Sequence, residues 1–198
     1  VSALGSGPRG RWFESTRPDF TMERDPQIIP LFTAEQIADR VAELGAEITE
    51  DYAGKNPLLI GVLKGAWMFL ADLTRSITIP HQIDFIQVSS YGSGTESSGE
   101  VRFLTDLSIP IAGRRVILVE DIVDTGLTLS TLVNILKERN PASLAVCSLL
   151  DKPERRETAI HIDYLGFKVP NKFLVGYGLD WNERFRHLPY IGYLEFEE

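Results

Sequence analysis

The stretch VILVEDIVDTGLTL, residues 116–129, decides how the rest of the chain is read. Its apolar run VILV (116–119), within RRVILVE over 114–120, does not alternate with polar residues. This is the pattern of a strand covered on both faces, as at the centre of a parallel sheet. Two adjacent acids, Glu120 and Asp121, end the run and a third, Asp124, follows; Gly126 then opens an amphipathic helix through Leu129, Leu132, Ile135 and Leu136. A helix N-terminus presents unpaired N–H groups at the positive end of its dipole, and Thr125, Gly126 and Thr128 add hydroxyls and close backbone approach. A phosphate monoester fits there. The acids just upstream would repel that phosphate in direct contact, but they can accept hydrogen bonds from sugar hydroxyls or hold Mg²⁺ through water. Phosphate on one side and carboxylates on the other describe a sugar phosphate. The plainer alternative, an Asp cap beside solvated loop acids, accounts for single residues but not for the whole constellation.

Working outward, Thr33 and Gln36 form the signature of a capping box, followed by Ile37, Val41, Leu44 and Ile48 on one helical face. The run PLLIGVL (57–63) predicts a buried strand, Lys64-Gly65 a turn, and AWMFLADLTRSI (66–77) a second helix. A further strand is expected over 83–90, a polar Gly/Ser loop over 91–100, and a hairpin-like segment over 101–107. SLAVCSLL (143–150) reads as the next buried strand, with shorter ones around 161–167 and 172–179. Alternation of this kind predicts an α/β domain with a mainly parallel central sheet flanked by helices, and ligands at the C-terminal ends of the strands.

The chain of 198 residues is 43% hydrophobic and carries a net charge of −8, which fits one globular domain and argues against a broad nucleic-acid-binding face. Its single cysteine, Cys147, lies in an apolar run, so neither a disulfide framework nor a cysteine zinc cluster is expected. No apolar stretch approaches the length of a membrane span, and a cytoplasmic location with no membrane partner is expected. Residues 1–21, rich in Gly, Pro, Ser and Arg, show no periodicity and are set aside as a disordered or upstream, non-native extension; Met22 reads as the more natural start of a single domain over 22–198. His81, His161 and His187 lack metal-ligand spacing, and neither a dinucleotide fingerprint nor a G-x-x-x-x-G-K-[ST] loop is present.

Two acids followed by D-x-G-x-T at a helix start resemble the signature of type I phosphoribosyltransferases, enzymes that use phosphoribosyl pyrophosphate (PRPP). Other segments narrow the resemblance to hypoxanthine-guanine phosphoribosyltransferases, over roughly Ile37 to the C-terminus. The resemblance implies that Glu120 and Asp121 hold the ribose hydroxyls and Mg²⁺, that Asp124, Thr125, Gly126, Leu127 and Thr128 cradle the 5-phosphate, and that Asp124 is the general base. Lys64 and Gly65 of LKG match the pyrophosphate loop, where the family often has a non-proline cis peptide. Ser90 and Tyr91 match the start of a flexible lid over about 89–100. Lys152 matches the lysine that donates to the 6-oxo group of the purine, and a donor-only ammonium favours that group over the amino group of adenine. In KFLVGYGLDWNERFRHL (172–188), Phe173 matches the residue that stacks on the base and Leu174 one whose backbone meets its edge. Asp180 matches an acid linked to magnesium beside the base site, and Arg186 an arginine that reaches pyrophosphate.

The implied fold adds a small hood, including about 151–198, to the central sheet. The implied reaction is purine salvage, from hypoxanthine or guanine and PRPP to IMP or GMP and pyrophosphate. The implied assembly is a homo-oligomer, dimer or tetramer. One departure is Leu127, where some members carry a basic residue, so phosphate binding rests on backbone amides and hydroxyls. A xanthine-preferring relative and a PRPP-sensing regulatory protein of the same fold are the alternatives.

Overall fold

The computed structural model describes residues 26–90 and 101–196. The extension over 1–21, and Tyr91 with the rest of the expected lid over 91–100, lie outside the described residues.

Twelve strands and helices follow one another in the described chain: β1 (Gln27–Phe32), α1 (Ala34–Asp51), β2 (Leu58–Leu63), α2 (Trp67–Ser76), β3 (Gln82–Ser90), β4 (Val101–Thr105), β5 (Arg115–Val123), α3 (Leu127–Glu138), β6 (Ser143–Asp151), β7 (Tyr164–Lys168), β8 (Leu174–Val175) and β9 (Ile191–Glu195). Six form the main sheet in the order β4-β3-β2-β5-β6-β7. All its pairings are parallel except the antiparallel β3–β4 edge.

Both faces of this sheet are covered, which is why its strands read as continuous apolar runs. Leu59, Ile117, Val119 and Cys147 pack with α1 and α2 on one side. Leu58, Ile60, Val116 and Leu118 pack with Leu129, Leu132 and Leu136 of α3 on the other. Successive side chains of a strand alternate between faces, so neighbouring residues serve different cores. Helix α1 begins where the capping box predicts. The Gln36 N–H donates to Thr33 Oγ1 at 3.3 Å and the Thr33 N–H to Gln36 Oε1 at 2.9 Å.

The chain runs from β2 outward to β3 and returns on the other side of β2 as β5, so the strand order reverses between β2 and β5. A crevice opens at such a reversal, beyond the carboxyl ends of the strands. The segments after β2 and β5 are Lys64-Gly65 and the acid-rich stretch read first.

Several boundaries differ from expectation. Strand β5 runs to Val123, three residues past its expected end, because its ladder with β6 continues from Glu120↔Ser148 to Val123↔Asp151. The acids Glu120 and Asp121 therefore belong to the strand. Strand β4 stops at Thr105 because the Asp106 carboxylate turns back onto the Leu107 N–H at 2.7 Å and pairs with Arg139. The expected strand over 172–179 shrinks to β8, since Gly176, Tyr177 and Gly178 all take positive φ and turn the chain. Strands β1 and β9 were not anticipated. They join β8 in a second, antiparallel sheet of order β1-β9-β8, so the hood region draws a strand from before 151.

Candidate active site

The site is assembled from the ends of β2, β5 and β6 and the turn after β8. Glu120 and Asp121 stand side by side on β5. Burial pushes Glu120 well above the usual carboxylate range, and the neighbouring Asp121 adds to the shift. Asp121 is also raised by burial, tempered by hydrogen bonds from Glu120 and from the Ile122 N–H at 2.9 Å. Two half-buried carboxylates that oppose each other's charge form a locus for a cation or for hydroxyl donors.

On the α3 side, Asp124, Thr125, Gly126 and Thr128 line a cleft of about 160 Å³ together with Glu120. Leu127 does not line it; its N–H lies 3.4 Å from Thr125 Oγ1. Gly126 is the residue before the helix and has φ of 83°, a left-handed conformation that side chains resist. A Cβ there would also lie 2.7 Å from the Thr158 carbonyl oxygen. The loop is pinned from outside: the Thr125 carbonyl accepts the Glu157 and Thr158 N–H groups at 2.9 and 3.1 Å. Its conformation is thus fixed by segment 152–158 as well as by its own sequence.

On the hood side, a larger cleft of about 430 Å³ is lined by Asp121, Asp124, Lys152, Phe173, Leu174 and Asp180 among others. Lys152 is not a solvated turn residue: its side chain is 7% exposed, and Nζ lies 3.4 Å from Asp124 Oδ2. Arg155 Nη1 lies 3.3 Å from the same oxygen. The other oxygen, Asp124 Oδ1, is buried without a hydrogen-bond partner. One carboxylate therefore has one oxygen held by two cations and one left over for a further donor. Phe173 is 52% exposed at this cleft, which rules out a core role, whereas Leu174 is buried in β8 opposite Tyr193.

At the end of β2 the Leu63–Lys64 peptide is cis. Gly65 packs so closely on β5 that a Cβ would lie 1.6 Å from Asp121 Oδ2. No other residue fits without moving that acid. Lys64 Nζ reaches Glu183 Oε1 at 2.8 Å, and Arg186 pairs with Asp180 at 2.8 Å and with Glu183 at 3.2 Å. The Arg186 Nη1 also donates to the Gly178 carbonyl at 2.8 Å. Lys64 and Arg186, remote in sequence, thus meet across one carboxylate.

Two site residues escaped sequence reading. Arg155 lay hidden in the charged stretch DKPERRE; its three-residue spacing from Lys152 across Pro153, which starts a 3₁₀ turn, was the signal that could have found it. Glu183 gave no signal, because its partner Lys64 lies 119 residues away. Of the expected lid pair, Ser90 ends β3 and Tyr91 lies outside the described residues.

With this geometry in place, comparison with known proteins is decisive. The phosphoribosyl transferase domain pattern matches residues 31–182. The chain belongs to the phosphoribosyltransferase family. The chain is 55% identical over 171 residues to the hypoxanthine-guanine phosphoribosyltransferase of Mycobacterium avium, covering 83% of this chain and 84% of that one. It is 50% identical over 159 residues to the hypoxanthine phosphoribosyltransferase of Salmonella typhimurium, covering 79% and 89%. The crystal structure of a Staphylococcus aureus hypoxanthine phosphoribosyltransferase superposes with a TM-score of 0.83 at 45% identity, over 90% of this chain and 97% of that one. The bifunctional TilS/HprT protein of Listeria innocua is 50% identical over 177 residues, and there the match spans only 27% of the relative's length. Such agreement places the type I phosphoribosyltransferase fold beyond the level of topology alone.

Proposed function

We propose that the protein is a hypoxanthine phosphoribosyltransferase of purine salvage, transferring ribose 5-phosphate from PRPP to hypoxanthine, forming IMP, and to guanine, forming GMP, with release of pyrophosphate. The observation that carries this reading is the junction at Asp124, which lines both the small cleft at the α3 N-terminus and the larger one that holds Lys152 and Phe173. A sugar phosphate in the first and a purine in the second would meet at that residue.

The 5-phosphate is held by the N–H groups and hydroxyls of residues 124–128, without a basic side chain at Leu127. Ribose hydroxyls donate to Glu120 and Asp121. The purine stacks on Phe173, with its edge at the backbone of Leu174, and Lys152 donates to its 6-oxo group. The bond from the anomeric carbon to pyrophosphate breaks as the bond to the base nitrogen forms, and the ring proton of the base passes to Asp124, whose Oδ1 lacks a partner. Lys64, the Gly65 backbone and Arg186 stabilise the departing pyrophosphate.

The donor set fits Mg²⁺. Glu120 and Asp121 are half-buried, mutually repelling carboxylates, and among the described residues no three acidic, histidine or cysteine side chains form a cage. Magnesium is ordinarily held by one or two carboxylates and completed by water and substrate phosphates. Glu120 and Asp121 would hold it, and Asp180, which lines the same cleft as Asp121, would act through water and not as a third direct ligand; the ion would neutralise charge on the pyrophosphate oxygens. The paired exposed apolar residues Ile83 and Phe85, on one face of β3, support a homo-oligomer, a dimer or tetramer. Among the described residues no helix is long and apolar enough to cross a membrane, and the proposed reaction is placed in the cytoplasm.

The test is nucleotide binding. Titration calorimetry with IMP, GMP and AMP is expected to show IMP and GMP binding at least tenfold more tightly than AMP. In K152Q that preference should collapse. Equal binding of AMP by the wild type would overturn the 6-oxopurine assignment.

A further inference from the structure

Glu183 is the feature that the proposed reaction leaves unused. It lies in the turn between Asp180 and Arg186, where Asn182, Glu183 and Phe185 take φ of 51°, 61° and 74°. Its N–H donates to Asp180 Oδ2 at 2.8 Å, which fixes its backbone beside Arg186. The side chain is 63% exposed and nevertheless spans two cations with separate oxygens. Oε1 lies 2.8 Å from Lys64 Nζ, while Oε2 lies 3.2 Å from Arg186 Nη2 and 3.4 Å from Nε.

An exposed ion pair gains little by itself, since water and salt screen it and ordering long side chains opposes it. What favours this arrangement is the pair of cations. An ammonium and a guanidinium brought to one spot repel each other unless an anion stands between them. A carboxylate that joins them through both oxygens occupies the position that the oxygens of a polyanion would take.

We infer that Glu183 is an internal competitor for the pyrophosphate group: in the ligand-free protein its carboxylate fills the anion subsite made by Lys64 and Arg186. PRPP or pyrophosphate must displace it to bind, and its return helps to expel pyrophosphate after transfer. Displacement leaves Arg186 with the Asp180 carboxylate at 2.8 Å, so that guanidinium stays oriented while one set of donors is freed. The inference rests on the proposed role of Lys64 and Arg186 toward pyrophosphate.

Calorimetric titration of pyrophosphate with Mg²⁺ separates the two ideas. E183Q keeps the shape of the side chain and removes its charge; E183A removes both oxygens. Both are expected to bind pyrophosphate roughly three- to tenfold more tightly than the wild type, in keeping with the loss of one exposed ion-pair network. The KM for PRPP should fall by a similar factor while the KM for the base stays constant, a split that a general loosening of the turn would not produce. K64A and R186A are expected to weaken pyrophosphate binding. If they do so while E183Q and E183A bind it no more tightly than the wild type, the inference about Glu183 is overturned and the pyrophosphate role survives. If K64A and R186A leave binding unchanged, the pyrophosphate role falls and the inference falls with it.

Discussion

At the residue scale, the proposed reaction turns on Asp124. Its Oδ2 is shared by Lys152 and Arg155, which orients the group, and its buried Oδ1 lacks a partner, so this carboxylate is not fully satisfied by the protein alone. Asp124→Asn preserves shape and removes the base. It should lower kcat by about 10²–10⁴-fold while changing the KM for PRPP far less; equal losses in both would remove the assignment. Gly65 makes a different kind of prediction. Because a Cβ there would meet the Asp121 carboxylate at 1.6 Å, Gly65→Ala should displace that acid and weaken PRPP binding, readable as a raised KM in steady-state kinetics. Both residues were legible in sequence as types, an acid before a helix and a glycine after a strand. Their mutual contacts were not, because Asp124 meets Lys152 only through the β5–β6 pairing and Gly65 meets Asp121 only through β2–β5.

Elements hold these side chains in place, and their stability can be tested separately from chemistry. Helix α3 is fixed by Leu129, Leu132 and Leu136 packed against the sheet, with Leu132 1% exposed. Leu132→Ala should cost about 2–5 kcal/mol in denaturant unfolding, the range for emptying a well-packed leucine site. Cost near zero would mean that the helix is not anchored there. The two main-sheet cores were readable because capping, periodicity and apolar runs all pointed the same way, as at Thr33 and Gln36 or in residues 58–63. The small sheet was not. Pro30 interrupts the pattern of β1, β8 has two residues, three positive-φ residues follow β8, and β9, though five residues long, pairs only with β1 and β8. Such strands are selected by their partners rather than by their own sequence.

For the molecule as a whole, buried phenols give a pH dependence. Burial pushes Tyr164 and Tyr177 up, reinforced by their hydrogen bonds to Asp51 and Asp72, each 2.7 Å. The unfolded chain would release these protons near pH ~10 and the native state would hold them. A raised native pKa means stability that is complete below about pH 10 and is lost as pH climbs above it. Thermal unfolding across pH 7–11 should show that decline, and Tyr177→Phe should flatten part of it; an unchanged slope would mean that the phenol is already ionised or exposed. The central claim is transfer of a phosphoribosyl group to a 6-oxopurine, and the most direct measurement is a turnover assay with PRPP, Mg²⁺ and a purine panel, following IMP, GMP, XMP and AMP with and without EDTA. The account predicts IMP and GMP formation that EDTA abolishes; absence of both nucleotides, with PRPP still bound, would contradict it and favour a PRPP-sensing role for the same fold.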